Sequence, residues 1–386
     1  MKKLNRTSFL LLLVVILAGC AAQVGTGWAG LTVLNDGRHV AWAYEDLITV
    51  VDITDGQASA LLDEDGDELR NGDGEVIRWR VSGRELDGAK FFAAPLQLDD
   101  LTLVAPSLDR RLLRFDLSDA SIANLESEPI IPAGSLVTTP ALIEGHLLVG
   151  LPHGLAALDP ETYETLWTVN TGHAVWSQPT VLNGVVYFVS LDHFMYAVNL
   201  EDGAEVWKLD IGGASTTQPL YGPNDSFYIG TFNSTILEVS AAGEILQTYN
   251  TNQWIWGNLV LAEDGLFASD LGGYVYKLDP ATLTLDPDWS ITRVATAGIR
   301  TAPLVFDDYV VVGSRDKSLY WINRETGSVI FSRPLDGEIL ADLHLFRADE
   351  VEGLDNDLIV VSTLSNREAL VGFTTSGDRV WTFRSR

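Results

Sequence analysis

Cysteine is almost absent from this sequence: among 386 residues only Cys20 carries a thiol, so an intramolecular disulfide is excluded. Cations are also scarce, 25 Lys and Arg against 53 Asp and Glu, for a net charge of −28. A surface of that sign repels nucleic acid and anionic lipid headgroups, and no nucleic-acid partner is expected. Beyond the N-terminal stretch, no apolar run reaches the roughly 20 residues a spanning helix requires. No segment of 10 to 15 residues shows a convincing helical period, which argues against a parallel α/β sheet. No G-x-S-x-G elbow or His-paired nucleophile can be picked out, so nucleophilic hydrolysis has no visible machinery.

What is present begins at the N-terminus. MKKLNRTSFLLLLVVILAGC places Lys2, Lys3 and Arg6 before an apolar run and a small-residue site, the pattern of a secretory signal. Leu17-Ala18-Gly19-Cys20 resembles the lipobox of bacterial lipoproteins, which implies a signal peptide over 1–19 and a palmitate-type lipid attachment at Cys20. An ordinary signal peptide with a chance cysteine is the alternative. Cleavage before Cys20 lowers Lys and Arg from 25 to 22 against 53 acids, a net charge near −31. Residues 20–27 then form a short tether, and seven residues reach only about 25 Å, which holds the body close to the membrane. The expected location is the cell envelope, either the periplasmic face of an outer membrane or the outer face of a single membrane. Ala21 after the cysteine, rather than Asp, is compatible with outer-membrane sorting.

From residue 28 to 386 the chain repeats. Pro95, Pro140, Pro179, Pro219 and Pro303 each precede a set of short apolar strands, at intervals of about 40 residues once the longest gap is halved at Asn258. Asp342 adds an eighth anchor, and Gly30 the first, its unit stretched by the insert DEDGDELRNGDG. Alternating runs rich in Val, Leu, Tyr and Trp are separated by turn pairs such as Asn183-Gly184 and Asp264-Gly265, which are strand and hairpin signals. A period of about 40 residues with four strands per unit predicts an all-β, eight-bladed β-propeller of four-stranded antiparallel blades. The sequence leaves open whether the ring closes with whole blades or a shared one.

Leu158-Asp159…Trp167, Tyr196-Ala197-Val198-Asn199…Gly203…Trp207, Tyr276-Lys277-Leu278-Asp279…Trp289 and Tyr320-Trp321-Ile322-Asn323…Gly327…Phe331 carry a shared signature. It resembles the quinoprotein-like (PQQ) repeat, roughly L-Y-A-L-D-x-x-T-G-x-x-x-W. We assign the clear copies to blades three, four, seven and eight, and find blade two weak because SDASIANLESEPI lacks the closing Trp. No Gly-His…Trp-Asp signature recurs, which sets the chain apart from WD40 propellers. The blade-end rings are read as packing between neighbouring sheets, and the Gly of each turn as a positive-φ hairpin position.

Quinoprotein dehydrogenases of this family bind pyrroloquinoline quinone and calcium beside a vicinal Cys pair. This chain has no such pair, so no cofactor is expected and the dehydrogenase reading stands last. Asp63-x-Asp65-Gly66-Asp67 spaces oxygen ligands as a calcium loop does, yet the sixth and twelfth places hold Glu68 and Gly74, so a solvated acidic hairpin is the better reading. His153, His173 and His193 should emerge on one face of adjacent blades. No metal site is expected, because the hairpin tips of neighbouring blades stand too far apart to share an ion.

A lipid-tethered, quinoprotein-like propeller without cofactor residues resembles, in architecture and repeat type, the propeller lipoprotein of the outer-membrane β-barrel assembly machinery. That resemblance implies a non-enzymatic scaffold for a protein or peptide partner; a solute-binding, glycan-binding or sensory surface propeller is the alternative. The blade-to-blade connections TGHAVWSQP, NTNQWIWGN and TAGIRTAP should ring the mouth of the central funnel if the first strand of each blade is nearest the axis. Trp176, Trp254, Trp256 and Arg300, with His173 beside them, are the expected partner-binding residues, because aromatics with Arg are what binding hot spots favour. Packing of the funnel neck is the competing role for the same rings.

Overall fold

The computed structural model describes residues 30–63, 66–119, 122–123 and 136–385. The signal peptide 1–19, Cys20 and the tether to residue 27 lie outside the described residues. Eight antiparallel sheets follow one another, and in each the strands pair in chain order. Blade four shows the plan, with strands Thr180–Leu182, Val185–Val189, Phe194–Asn199 and Glu205–Asp210. The first strands of the other blades begin at Gly30, Leu96, Ala141, Leu220, Val260, Leu304 and His344, each within two residues of its anchor. The chain is an eight-bladed β-propeller. First strands of blades five, six and seven touch in turn, which places them around the axis. Among the described residues only two short 3-10 turns, Gly83–Leu86 and Pro223–Asp225, depart from strand and loop.

Two sequence readings need correction. The motif copies at 276–289 and 320–331 lie in blades six and seven rather than seven and eight, since Val260 opens the sixth sheet. The strands were expected to alternate, but only the outer strands show an alternating burial pattern, as in Glu205–Asp210. Second and third strands are sandwiched between neighbouring blades and bury both faces, so Val186 to Val189 and Met195 to Val198 are all inside. Successive residues of one such strand serve different seams: Val186 and Phe188 pack toward blade three with Leu148 and Trp167, while Tyr187 and Val189 pack toward blade five with Phe227 and Ile229. The core is therefore a ring of interblade seams.

The repeat signature explains how the rim of each seam is built. The outer-strand Trp of one blade lies on the turn Gly of the next, as Trp167 does on Gly203, whose φ is +70° and where a Cβ would come within 2.9 Å of the indole. Its Nε1 then donates to Leu200 O at 2.7 Å. Trp207 repeats this toward Ala241 O at 2.8 Å. The ring closes with whole blades, because Trp381 of blade eight donates to Ile53 O of blade one at 2.7 Å.

Blade one departs most from the repeat. Its outer strand is split into Gln57–Ala58 and Arg80–Ser82, both pairing with Leu47–Asp52, and the insert runs between them. Leu61, Leu69 and Ile77 join its three arms through backbone hydrogen bonds of 2.8–2.9 Å. Asp63 Oδ1 accepts from Asp67 N and Asn71 Oδ1 from Glu75 N, each at 2.9 Å, which is turn-capping chemistry. The insert also delivers Trp79, whose Nε1 donates to Asp116 O at 3.1 Å and supplies the rim ring of this seam.

Candidate functional site

The connections from one blade to the next are held by side chains of the hairpin between second and third strands. In blade four, Asp192 Oδ2 accepts from Gly172 N at 2.7 Å and from Tyr196 OH at 2.6 Å. Asp270 takes Gln253 N and Tyr276 OH at 3.0 and 2.7 Å in blade six, and Asp316 takes Thr296 N and Tyr320 OH at 2.7 and 2.8 Å in blade seven. Burial first, and then the carboxylate partner, push the Tyr320 phenol up to about 12 and raise Tyr196 further. These carboxylates position backbone, and the tyrosines stay protonated as donors.

On that frame, equivalent positions in four consecutive blades hold Trp176, Thr216, Trp256 and Arg300. The small Thr216 between the two tryptophans lets their rings meet at 6.3 Å. Thr216 also donates to Trp256 O at 2.9 Å and so fixes the connection that carries it. Trp254 stands two residues before Trp256, with the buried Ile255 between them pointing the other way. Phe232 stacks on both, at 5.3 Å to Trp254 and 5.2 Å to Trp256. The guanidinium of Arg300 lies 4.1 Å above Trp256. Gly257 allows that approach, since a Cβ there would come within 2.4 Å of Arg300 O. Ala174, Leu191 and Ala214 form a buried floor under Trp176 and Phe232, while the rings themselves keep partial exposure.

Four of the five expected residues thus converge, and His173 does not join their ring contacts. Its Nδ1 accepts from Ala174 N at 2.9 Å. Partial burial lowers its proton affinity, His153 and His193 lower it further, and Asp192 opposes them. Among the described residues no three His, Asp or Glu side chains are grouped to hold an ion. Sequence reasoning missed Phe232. A register comparison finds it, because the hairpin place held by Leu191, Leu271 and Arg315 in blades four, six and seven holds a phenyl ring in blade five.

The family model described as outer membrane protein assembly factor BamB matches residues 108–231 and 272–386. Curated relatives carrying that same description include those of Shewanella oneidensis, 25% identical over 56% of this chain and 68% of the relative; Salmonella typhimurium, 23% over 48% and 50%; and Vibrio cholerae, 27% over 51% and 54%. The chain spans about two thirds of the first and about half of the other two. Among solved structures, the computationally designed Ika8 protein matches with a TM-score of 0.61 at 17% identity, over 93% of this chain and 98% of that one. BamB from Moraxella catarrhalis matches with a TM-score of 0.54 at 16% identity, over 75% and 86%. At those identities the structural likeness speaks to fold.

Proposed function

The chain belongs to the family of outer membrane protein assembly factor BamB, and from that premise we propose that it is a non-enzymatic scaffold gripping a protein partner in outer-membrane protein assembly. Lipid attachment at Cys20 tethers it to the cell envelope in this reading. The observation that carries the partner site is the continuous, partly exposed array of Trp176, Trp256, Phe232 and Trp254 with Arg300 stacked on it. Such an array offers large apolar area at low entropic cost, and it rests on a rigid β-scaffold. Arg300 adds donors suited to a carboxylate or carbonyl, and aromatics with Arg dominate binding hot spots. A peptide segment or loop of the partner is the fitting occupant. The carboxylates beneath, Asp192, Asp270 and Asp316, hold backbone and tyrosine donors, which supports a scaffolding role for them.

The test is photo-crosslinking in native membranes followed by identification of the captured protein. Wild type should capture a component of the β-barrel assembly machinery, and Trp256→Ala and Arg300→Ala should each lose most of that capture while melting within a few degrees of wild type. Undiminished capture by both variants places the site elsewhere on the ring. Cys20→Ser, which removes the proposed acylation site, should release the protein from the membrane fraction.

A further inference from the structure

Two cavities reach the first strand of blade eight. One, of about 450 Å³, lies on the side of the aromatic face and is lined by Thr32, Trp176, Gln178, Thr216 and Asn258 among others. The second, of about 840 Å³, is walled by blades six and seven, with Glu263, Asp307 and Arg324 in its lining. Asp342 and His344 line both, so they stand at the neck where the two meet. The buried Leu343 between them packs into the seam of blades seven and eight, as alternation along an extended run requires.

Asp342 is over-equipped for its structural task. Its Oδ1 accepts from Ala302 N of the preceding blade at 2.6 Å. At the same anchor of blade six, Asn258 Oδ1 accepts from Gln218 N at 2.8 Å, with no charge involved. The interblade bond therefore needs an amide oxygen, not a carboxylate. A carboxylate held half-buried at this neck costs folding stability unless something compensates it. Burial accordingly raises the proton affinity of Asp342, and its bond from Ala302 only partly opposes this. His344 makes no side-chain hydrogen bond among the described residues, and burial pushes its pKa down to about 4, so at neutral pH the ring is uncharged and keeps one nitrogen as an acceptor.

We propose that Asp342 and His344 form a binding site for an alkylammonium group, supplied either by a lysine side chain of a partner or by a free amine. The neck presents acceptors, a carboxylate oxygen and a neutral imidazole nitrogen, with the side-chain amides of Gln178 and Asn258 lining the same cavity. An ammonium carries three donors on a compact cation and matches that set. A guanidinium fits less well, because one carboxylate oxygen is already engaged by Ala302 and a two-pronged fork needs both. A divalent ion lacks ligands here, since among the described residues no third carboxylate or imidazole joins the pair.

Isothermal titration on the detergent-solubilised full chain tests this with three probes: a capped pentapeptide with a central lysine, the same peptide with acetyl-lysine, and spermidine. Wild type should bind the lysine peptide, spermidine or both, and whichever binds identifies the source. The acetyl-lysine peptide should bind more than about tenfold more weakly than its parent, and Asp342→Asn should weaken amine binding more than about tenfold, as loss of a buried charge partner does. That variant folds on the precedent of Asn258. His344→Leu should weaken binding by a smaller factor. Absence of binding by both amines at millimolar concentration, or equal binding by wild type and Asp342→Asn, overturns the proposal. No partner is needed in this measurement, so its failure and a failure of partner capture are separate results.

Discussion

The blades of this ring meet at the rim and at the axis, and the chemistry of the two places is opposite. At the rim, large rings lie on turn glycines of the next blade: Trp167 on Gly203, Trp207 on Gly243, Trp381 on Gly56. At the axis the contacts are small and polar, as in Thr180 Oγ1 donating to Pro219 O at 2.6 Å and Gln218 N to Asn258 Oδ1 at 2.8 Å. Radial geometry is the cause. Sheets splay outward, leaving a gap at the circumference that an indole fills, whereas converging first strands leave room only for a hydroxyl or an amide. The seam between blades five and six shows what the rim requires. Gln247 stands where its neighbour has Trp207, and its Nε2 donates to Ala281 O and to Glu238 Oε2, both at 2.8 Å. Tyr228 OH adds a bond to Pro280 O at 2.5 Å. In these seams a donor is aimed at the next blade's turn carbonyl, and the ring is one way to bring it, whereas Trp289 Nε1 of blade six donates to Val275 O of its own blade at 3.0 Å.

If rim contacts carry stability and axial polar groups carry function, substitutions should divide accordingly. The largest effect belongs to the rim: Trp207→Ala should lower unfolding free energy by about 3–5 kcal/mol, the range for large-to-small aromatic changes, read from chemical denaturation. A loss under about 1 kcal/mol breaks the comparison. Next comes the axis in acid. With His344 held near 4 in the folded protein and near 6.5 when unfolded, the unfolded chain takes up a proton that the folded one refuses. Stability should therefore fall as pH drops from about 6.5 toward 4, on the order of 2–3 kcal/mol from this group. The difference between wild type and His344→Gln across that window isolates the contribution, and parallel profiles would count against it. The smallest effect has the opposite sign: Asp342→Asn should leave stability at neutral pH unchanged or raise it by about 1 kcal/mol, since a half-buried carboxylate is removed and the bond from Ala302 retained. A melting temperature several degrees lower would mean that the carboxylate is structural after all.

The architecture was legible because its cause is local and repeated. Anchors such as Pro179 and Pro219, turn pairs such as Asn183-Gly184 and the Trp207 signature recur with the register of the blades, and even Asn258 and Asp342, which break the proline pattern, open their blades on time. Alternation was misread in the inner strands because a blade has two buried faces, which a period of two cannot announce. Trp79 was invisible as a rim ring, since the insert carries it far from its expected place in the repeat. At the aromatic face, residue types pointed to Trp176, Trp254, Trp256 and Arg300, but Phe232 joins them across a blade boundary that only the register of hairpins discloses. His173 shares their face without sharing their contacts. The neck at Asp342 and His344 arises from convergence of strands distant in the chain, and no spacing along the sequence carries that information.

The closing bond from Trp381 to Ile53 spans 328 residues. Blade one is made first, yet one of its two flanks stays bare until the last strand has been synthesised, so a nascent chain passes most of its life as an open arc with an unsatisfied apolar edge. Closing so long a loop is an entropic cost met only at the end, and contacts this remote slow folding. A chain cut short by even one strand is then not a smaller ring but an arc that still exposes the seam between blades eight and one. Only rings that contain the strand Arg379–Phe383 hide that edge.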